Sequence, residues 1–287
     1  MNKRKVWFIT GSSTGFGRTL AEEALKQGHK VVATARKPET LKDLEEQYPD
    51  NARVVRLDVT KKDEVQSAVE EGIKAFGRID AIVNNAGYGL MGAIEEPSDE
   101  QIRQIFETNF FGALNVIRAA LPQLRKQQSG HILNFSSVGG FISFPGTGYY
   151  CASKFALEGV SEALAGEGAP LGIRTTIVEP GAFRTDFNGR ALQLPETRMK
   201  EYPATDEFVN WLKAEDGKQP GDPLKAAKAI IKVVESDNPP LRLVLGADAL
   251  NAIENELEAV KKDIATWRDV SIDTAFEGAV IGAIGGK

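Results

Sequence analysis

The sequence contains little of the material from which disulfides, metal sites and histidine-based catalysis are built. Its 287 residues include one cysteine, Cys151, and two histidines, His29 and His131. One cysteine excludes an internal disulfide and a cysteine-based metal site, and two histidines leave little for a histidine metal site or a Ser-His-Asp hydrolase. We therefore expect no metal, and a location in the reducing cytoplasm.

Long apolar runs and basic clusters are scarce as well. No segment approaches the roughly 18 uninterrupted apolar residues of a membrane span, and the apolar run at residues 6–10 is too short for a signal peptide. The net charge of −5 and the one short basic cluster, residues 3–5, argue against a nucleic-acid-binding surface. We expect an ordinary globular protein in which residues 1–287 form one domain.

Short apolar runs alternate with stretches of helical spacing along most of the chain. The runs predict strands at residues 6–10, 30–35, 53–57, 81–87, 131–137, 173–187 and 241–245. The stretches predict helices at residues 18–28, 39–47, 62–76, 101–125, 149–164, 223–236 and 247–269. This alternation predicts an α/β fold, a Rossmann-type, doubly wound, mostly parallel seven-stranded sheet with helices on both faces.

Two segments depart from the alternation. Residues 188–221 are rich in glycine, proline and charge, and we expect residues 183–221 to form a substrate loop or lid. Residues 247–287 are expected to form a C-terminal helical extension. The apolar tail at residues 279–286 is expected to pack on the body of the protein or on a partner subunit.

A glycine-rich turn separates the first predicted strand from the first predicted helix. Gly11 and Gly15 allow a tight turn and the close approach of a pyrophosphate to the helix N-terminus, and Gly17 allows the helix to pack closely on the sheet. Such glycines also occur in ordinary loops, but a strand before them and a helix after them are the context that a dinucleotide site requires. We therefore predict a dinucleotide site here.

The end of the second predicted strand bears on the choice of cofactor. An acidic residue there would accept a hydrogen bond from the free ribose hydroxyl of NAD, whereas this chain has Ala35 followed by Arg36. A guanidinium can bind a 2′-phosphate, which favours NADP(H) over NAD(H). Alternatively Arg36 is a solvated loop residue, and the nearby Glu39 weakens the NADP(H) prediction slightly.

Polar or glycine-rich features lie where four of the predicted strands end. They are residues 11–17, Asp58, residues 84–87 and residues 136–137. Because ligands of parallel α/β sheets bind at the carboxyl ends of the strands, this shared position predicts a single site along one rim of the sheet.

A phenol and an ammonium group lie four residues apart in the predicted helix at residues 149–164. At that spacing Tyr150 and Lys154 share a helix face. A nearby cation would lower the tyrosine pKa from about 10 by roughly one to three units, making Tyr150 a general acid or base near neutral pH. Taken alone, the pair is better explained as a packed aromatic and a solvated amine.

Together these motifs resemble those of the short-chain dehydrogenase/reductase (SDR) family, in its single-domain oxidoreductase form. The resemblance covers residues 5–190 through ordered motifs. These are Thr10-Gly11-x-x-x-Gly15-x-Gly17, the run at residues 84–87, Asn109, Ser137, Tyr150-x-x-x-Lys154 and Pro180-Gly181.

The resemblance implies four catalytic residues. Tyr150 would exchange a proton with the substrate oxygen as hydride passes between nicotinamide and substrate. Lys154 would lower the pKa of Tyr150 and hydrogen-bond the nicotinamide ribose. Ser137, rather than Ser136, would orient the carbonyl. Asn109 would hold a water that relays protons through Lys154, although by itself it is better explained as a polar side chain that satisfies a helix backbone.

The resemblance also implies cofactor contacts along the rim. Ser13 and Phe16 would lie near the phosphates, and Asp58 and Val59 near the adenine. Asn85 and Gly87 would lie along the cofactor ribose, and Thr185 would meet the carboxamide. The remaining predicted contacts are Gly11, Gly15, Gly17, Arg36, Ala86, Tyr150, Lys154, Pro180 and Gly181. Relatives that use NADP often carry a basic residue where this chain has Thr14, so the prediction of NADP(H) depends on Ala35 and Arg36.

These observations predict an NADP(H)-dependent oxidoreductase that interconverts a ketone or aldehyde with an alcohol. The alternative is a non-catalytic NADP(H)-binding regulatory protein, because the fold does not determine function. A Ser/Lys hydrolase using Ser153 and Lys154 fails, since adjacent helical residues point apart.

The substrate and the assembly are less constrained by the sequence. An apolar small-molecule carbonyl or alcohol fits the aromatic residues Phe141, Phe144, Phe183 and Phe187, unless these are ordinary core and loop aromatics. A homo-oligomer is implied by resemblance alone, through the helices after Asn109 and around Tyr150, and the C-terminal segment could block it.

Overall fold

A seven-stranded parallel sheet forms the centre of the protein. The computed structural model describes residues 4–280 and 282. In the order β3-β2-β1-β4-β6-β7-β9, the strands of this sheet are Ala52–Arg56, Lys30–Ala35, Val6–Ile9, Ala81–Asn84, Gly130–Phe135, Ile173–Pro180 and Arg242–Leu245. Every strand pair is parallel, which confirms the predicted fold class.

Helices cover both faces of this sheet. In chain order α1 to α10 are Gly15–Lys26, Lys42–Gln47, Lys62–Phe76, Asp99–Phe106, Gly112–Gln127, Gly148–Gly168, Pro203–Ala214, Pro223–Glu235, Ala247–Thr266 and Arg268–Ile272. Alternate residues of β1 show the two layers, because Trp7 belongs to the core under α1 and α8, and Phe8 to the core under α3 and α5. Burial on both faces explains why the strands are almost entirely apolar.

The strand order reverses between β1 and β4. β1 pairs with β2 on one side and with β4 on the other, and the chain then continues outward in each direction. The loops that leave β1 and β4 therefore diverge to opposite faces and leave a crevice between them at the carboxyl ends of the strands. Residues 11–17 and 84–87 border this crevice.

The helix predicted at residues 101–125 begins earlier and is interrupted. Ser98 accepts a hydrogen bond from Gln101 N and forms a capping box with Gln101, so α4 starts at Asp99. A π-helical turn, Glu107–Phe111, separates α4 from α5. Asn109 lies in this turn, and single π turns inside α-helices are often found at functional sites.

The segment at residues 188–221 has regular structure that the sequence did not reveal. It contains α7 and a short strand β8, Leu192–Gln193, which pairs in parallel with β5, Gly89–Leu90. Its apolar side chains pack over the start of α6, where Val209, Leu90 and Tyr150 share one buried cluster. Asp222 caps α8, because its side chain accepts a hydrogen bond from Leu224 N at 2.8 Å.

The C-terminal helices leave the body of the protein. α9 buries Ala249 and Ile253, whereas every residue from 257 to 280 is exposed. Residues 279, 280 and 282 of the tail do not pack on the body, so packing on a partner subunit, the other expectation for the tail, stays a prediction. The other residues of the tail lie outside the described part of the chain. Within the described part, no helix is both long enough and apolar enough to cross a membrane.

Candidate active site

The loop between β1 and α1 is held in a turn that requires glycine. Gly11 and Gly15 have φ angles of +66° and +55°, in the left-handed region that side chains disfavour. A Cβ on Gly17 would collide with the carbonyl oxygen of Gly11, so the loop and the helix lie in direct contact. The Asn85 side chain, predicted along the cofactor ribose, donates to the Thr10 and Gly11 carbonyls at 2.9 and 3.1 Å.

The N-terminus of α1 fits a pyrophosphate. Within the described residues its N-cap, Thr14, makes no side-chain capping hydrogen bond, and the first turn contains no acidic residue. The partial positive charge of the helix therefore faces the crevice without a negative side chain of its own first turn. Ser13 is half-buried in this loop, and Phe16 packs its ring against Phe135 and Phe183 at 5.5 and 5.1 Å between centroids.

The residues predicted near the adenosine lie at the ends of β2 and β3. Arg36 is exposed directly after β2, and Asp58 is half-buried two residues after β3. The Asp58 carboxylate accepts hydrogen bonds from Thr60 N at 3.0 Å and Thr60 Oγ1 at 2.7 Å. Val59 is buried, and its carbonyl accepts a hydrogen bond from Asn115. The guanidinium and the carboxylate thus follow neighbouring strands.

The loop after β4 brings Gly87, which is predicted to contact the cofactor ribose, close to Asn109 and Lys154. Thr10 Oγ1 accepts hydrogen bonds from Asn85 N and Ala86 N, both at 3.0 Å, which fixes this turn against β1. A Cβ on Gly87 would lie 3.0 Å from Asn109 Oδ1 and 3.6 Å from Lys154 Nζ. Gly87 therefore leaves open the space between the Asn109 amide and the Lys154 ammonium group.

Asn109 is fully engaged by protein groups. Its Oδ1 accepts from Tyr88 N at 3.0 Å, and its Nδ2 donates to Tyr88 O at 2.9 Å and to Ser153 Oγ at 3.2 Å. The alternative given for this residue, a polar side chain that satisfies a helix backbone, matches these contacts only in that backbone groups are satisfied. The groups belong to the β4–β5 loop rather than to its own helix, and the water relay stays a prediction.

Tyr150 is buried, and its pKa moves opposite to the expected direction. Burial raises the pKa of the phenol well above its ordinary range, although the Ser137 hydroxyl acts in the opposite direction. The prediction that Lys154 lowers the pKa of Tyr150 is therefore wrong in this structure, because desolvation outweighs any favourable charge. Lys154 Nζ lies 5.8 Å from the centroid of the Tyr150 ring. The phenol is protonated at neutral pH.

The ammonium group of Lys154 is buried, and burial disfavours its charged form. Its Nζ donates to the Phe135 carbonyl at 2.8 Å. Burial lowers the pKa of Lys154 to about 8, and the Glu158 carboxylate acts in the opposite direction. The ammonium group is thus close to titrating at physiological pH.

The two serines after β6 point to different partners. Ser136 Oγ donates to Glu158 Oε1 at 2.5 Å, away from the crevice. Ser137 Oγ accepts from Gly139 N at 3.0 Å, and a Cβ on Gly139 would lie 3.5 Å from Ser137 Oγ and 3.3 Å from Tyr150 Cε1. Ser137 Oγ and the Tyr150 ring therefore both lie close to Gly139.

The end of β7 completes the rim. Pro180 ends the strand, and Gly181 N donates to Leu245 O at 2.9 Å. Asp248, in the first turn of α9, accepts from Ala182 N at 2.7 Å. Thr185 faces the glycine loop, because a Cβ on Gly15 would lie 3.5 Å from its Cβ.

The four aromatic residues proposed for a substrate pocket do not converge. Phe187 lies on the Tyr150 ring at 5.5 Å, and Phe183 packs on Phe16 beside the glycine loop. Phe144 stacks on Phe208 of α7, and Phe141 lies under the Arg242 guanidinium. Of the four, Phe187 is the one in contact with Tyr150.

Sequence reasoning missed a buried ionic cluster behind Ser136. Arg242 donates to Glu179 Oε1 at 2.5 Å and to Glu158, and its other nitrogen reaches Glu162. Glu179 is completely buried, and burial raises its pKa to about 7. We call Arg242, Glu158 and Glu179 the arginine cluster. Its members come from α6, β7 and β9, so no local motif identifies them.

A second missed feature fastens α6 to the sheet. Asn84 Nδ2 donates to Asn134 Oδ1, and Asn134 Nδ2 donates to Ser161 Oγ, both at 2.8 Å. Asn134 lies inside an apolar strand, and a polar residue there was the available signal. The chain of hydrogen bonds fixes the helix that carries Tyr150 and Lys154 relative to β4 and β6.

Comparisons with known proteins bear on the family of this chain. The family described as short chain dehydrogenase matches residues 5–194. A relative from Botryotinia fuckeliana, named oxidoreductase BOA17, is 41% identical over 273 residues, covering 94% of this chain and 99% of the relative. A 3-ketodihydrosphingosine reductase from Bacteroides thetaiotaomicron is 39% identical over 244 residues, covering 84% and 88%.

Solved structures match the same architecture. A short-chain dehydrogenase from Streptomyces avermitilis is 41% identical with a TM-score of 0.89, covering 96% of this chain and all of that one. ElxO with NADP bound is 29% identical with a TM-score of 0.72, covering 87% and 100%. A Burkholderia phymatum protein in complex with NAD shares the fold at 23% identity and a TM-score of 0.79, covering 91% and 96%.

Proposed function

The chain belongs to the short-chain dehydrogenase/reductase family and is an oxidoreductase, and from this premise we propose that it is an NADP(H)-dependent carbonyl reductase or alcohol dehydrogenase. The observation that carries the proposal is the convergence of Tyr150, Ser137 and Lys154 at the carboxyl end of β6, beside the crevice where a nicotinamide cofactor fits. Structural neighbours with NAD or NADP bound support a nicotinamide cofactor.

Tyr150 and Ser137 would act on the substrate oxygen. When bound, the nicotinamide supplies the hydride. The Tyr150 phenol carries its proton at neutral pH, as an ordinary phenol does, and would donate it to the carbonyl oxygen as negative charge develops there. The Ser137 hydroxyl, held by Gly139 N on the other side, would donate a second hydrogen bond to the same oxygen.

Lys154 would bind the nicotinamide ribose and hold positive charge beside the phenol. Its Nζ is anchored by the Phe135 carbonyl and faces the open space at Gly87. Desolvation makes this ammonium group readily deprotonated, with a pKa of about 8, so it would also exchange protons with its surroundings near neutral pH.

The choice of NADP(H) depends on Arg36. Its exposed guanidinium stands directly after β2, where it would bind a 2′-phosphate, and the residue before it is alanine rather than an acid. Replacing Arg36 by leucine would reduce the preference for NADPH over NADH by roughly ten- to a hundredfold, the worth of hydrogen bonds to a charged group.

An apolar ketone is the substrate class that we favour. The buried cluster at Tyr150 contains Leu90, Met91 and Val209, with Phe187 and Leu192 packed against it. The relative named 3-ketodihydrosphingosine reductase supports a ketone as the group reduced. A cytoplasmic location stays a prediction.

The test is the initial rate of NADPH oxidation, and separately of NADH oxidation, with a panel of ketones from small keto esters to long-chain lipids. We expect turnover that prefers NADPH and is lost in Tyr150→Phe. Tyr149→Phe is the matched control, because this neighbouring phenol donates to the Ile94 carbonyl at 2.9 Å and its loss should leave the rate unchanged. Tight NADPH binding without turnover of any ketone would instead favour the regulatory protein.

A further inference from the structure

The segment predicted to form a lid, residues 183–221, lies against Tyr150. The rings of Phe187 and Tyr150 are 5.5 Å apart between centroids, and Val209 of α7 belongs to the same buried cluster as Tyr150. A ketone that reaches the Tyr150 hydroxyl is therefore bordered by the lid. The position of the lid thus determines the shape of the pocket in which this ketone binds.

One buried carboxylate ties the lid to the loop between β5 and α4. Glu96 Oε1 accepts hydrogen bonds from Met199 N at 2.6 Å and from Arg198 Nε at 3.1 Å, and both donors belong to the lid. Glu96 Oε2 accepts a hydrogen bond from Ala93 N of its own loop at 2.7 Å. The Glu96 side chain has no exposed surface. These bonds are therefore shielded from water, which strengthens them.

A carboxylate suits this position better than an amide of the same shape. Both oxygens of Glu96 accept a backbone N–H, whereas a glutamine would turn an NH2 group toward one of these donors. Burial acts to raise the pKa of Glu96, but the two backbone N–H groups and the guanidinium together lower it. The anchor also reaches α7, because Arg198 Nη2 donates to Asp206 Oδ1 in the first turn of that helix at 2.7 Å.

Other contacts hold the earlier part of the lid. β8 pairs in parallel with β5, and Gln101 Nε2 donates to Leu194 O at 3.2 Å. These contacts hold residues 192–194, whereas Glu96 holds the chain just before α7. Loss of the Glu96 anchor therefore loosens α7 while β8 stays paired.

We infer that Glu96 is a positioning residue for ketone reduction, which fixes the lid against the loop after β5 and so keeps the pocket beside Tyr150 in the shape that binds the ketone. This inference rests on the proposed function. Without the anchor the lid populates open positions, and the apparent affinity for the ketone falls with the fraction of molecules whose lid is closed. A bound ketone restores the closed lid, so KM changes more than kcat.

Steady-state kinetics of Glu96→Gln test the inference. We expect KM for the ketone to rise roughly tenfold, as for a lid that is closed in about one molecule of ten, while kcat and the Kd of NADPH change little. Glu95→Gln is the matched control, because this neighbouring carboxylate is exposed and accepts a hydrogen bond from the Tyr202 hydroxyl of the same lid. Water replaces such an exposed bond, so KM should change by less than about twofold.

Arg198→Met removes the same anchor from the side of the lid. Its side chain is 25% exposed, so this variant introduces less strain than a change at Glu96 and tests the anchor even if Glu96→Gln does not fold. We expect KM to rise in this variant as well. Unchanged KM in Arg198→Met would overturn the inference, as would an equal rise of KM in Glu95→Gln.

Hydrogen exchange measured by mass spectrometry tests the anchor without a ketone. The backbone amides of residues 195–206 should exchange at least roughly tenfold faster in Glu96→Gln than in wild type, while those of the central sheet stay unchanged. Faster exchange throughout the sheet would show a general loss of stability and would overturn the inference, as would unchanged exchange in the lid. Failure of the wild type to reduce any ketone would instead count against the proposed function, which separates the two.

Discussion

Two buried groups of ionisable side chains lie along α6, and they differ in how their charges are paired. Around Tyr150 the cation is Lys154, whose Nζ donates a hydrogen bond to the Phe135 carbonyl. One turn further, in the arginine cluster, the buried carboxylates of Glu158 and Glu179 share one guanidinium, and Glu158 also accepts a hydrogen bond from Ser136. Desolvation shifts pKa values in both groups, so a shifted pKa alone does not identify a catalytic residue. The two groups differ in the partner of the buried charge, which is a backbone carbonyl for Lys154 and a side chain of opposite charge in the arginine cluster.

The sharpest test of this comparison is Lys154→Met. We expect kcat/KM to fall by roughly a hundred- to ten-thousandfold, since a group acting in proton transfer is removed. The free energy of unfolding should stay within about 1 kcal/mol of wild type, because the cost of burying the cation disappears together with its hydrogen bond. Ketone turnover and urea unfolding measure the two effects. A large loss of stability would show that Lys154 is a structural residue.

Arg242→Met should lower stability more than activity, the opposite of Lys154→Met. Removing the guanidinium leaves Glu158 and Glu179 buried without a countercharge, so the free energy of unfolding should fall by about 3 kcal/mol. The matched control is Arg53→Met, because Arg53 forms a single exposed ion pair with Glu45 at 3.7 Å and should change stability by less than about 1 kcal/mol. Urea unfolding of both variants decides. Equal losses of stability in the two variants would mean that water already stabilises the charges of Glu158 and Glu179.

The dependence of stability on pH should carry the signature of Glu179. Its pKa is raised to about 7 in the folded protein, whereas a free glutamate titrates near 4.3. Between about pH 4.3 and pH 7 the folded state therefore binds more protons than the unfolded state. The stability that protonated Glu179 contributes below about pH 4 is lost as the pH rises to about 7, by at most about 1.4 kcal/mol per pH unit. Glu179→Gln should flatten this window in unfolding measurements, and Glu162→Gln, on the same arginine but exposed, should not.

The smallest expected effect links the two groups. The Glu158 carboxylate raises the pKa of Lys154 against the larger effect of burial. Glu158→Gln should therefore move the alkaline midpoint of the kcat/KM profile down by up to about one pH unit. Glu162→Gln serves again as the control, since its carboxylate is half exposed. An unchanged midpoint in Glu158→Gln would show that Lys154 does not set the alkaline limb.

Local motifs explain what could be predicted. Gly11 to Gly17, residues 84–87 and the pair Tyr150 and Lys154 are short patterns, and parallel strands carry them to one rim. The arginine cluster joins Arg242 to residues 84 and 63 positions away, so no window of sequence contains it. The pKa of Tyr150 was predicted in the wrong direction, because spacing reveals a neighbouring charge but not the extent of burial.

Composition misled where it was the only guide. Residues 188–221 have the glycine, proline and charge of a loop, yet α7 forms there with Pro203 at its first position, where proline is tolerated, and with Val209 buried. The interruption at Glu107–Phe111 has no compositional signal, since a π turn differs from an α turn in hydrogen-bond register alone.

The π turn at Glu107–Phe111 has a consequence for the alignment of this chain with related sequences. An α-helix advances about 100° per residue, so the wider turn inserts rotation without an equal gain in length. Removing one residue from it would let α4 and α5 run as one regular helix and would swing Asn109 about a quarter of a turn from Tyr88. The extra residue therefore changes the direction of the side chains in this turn more than it lengthens the helix. A related sequence with a one-residue gap here would hold the amide of Asn109 in a different direction.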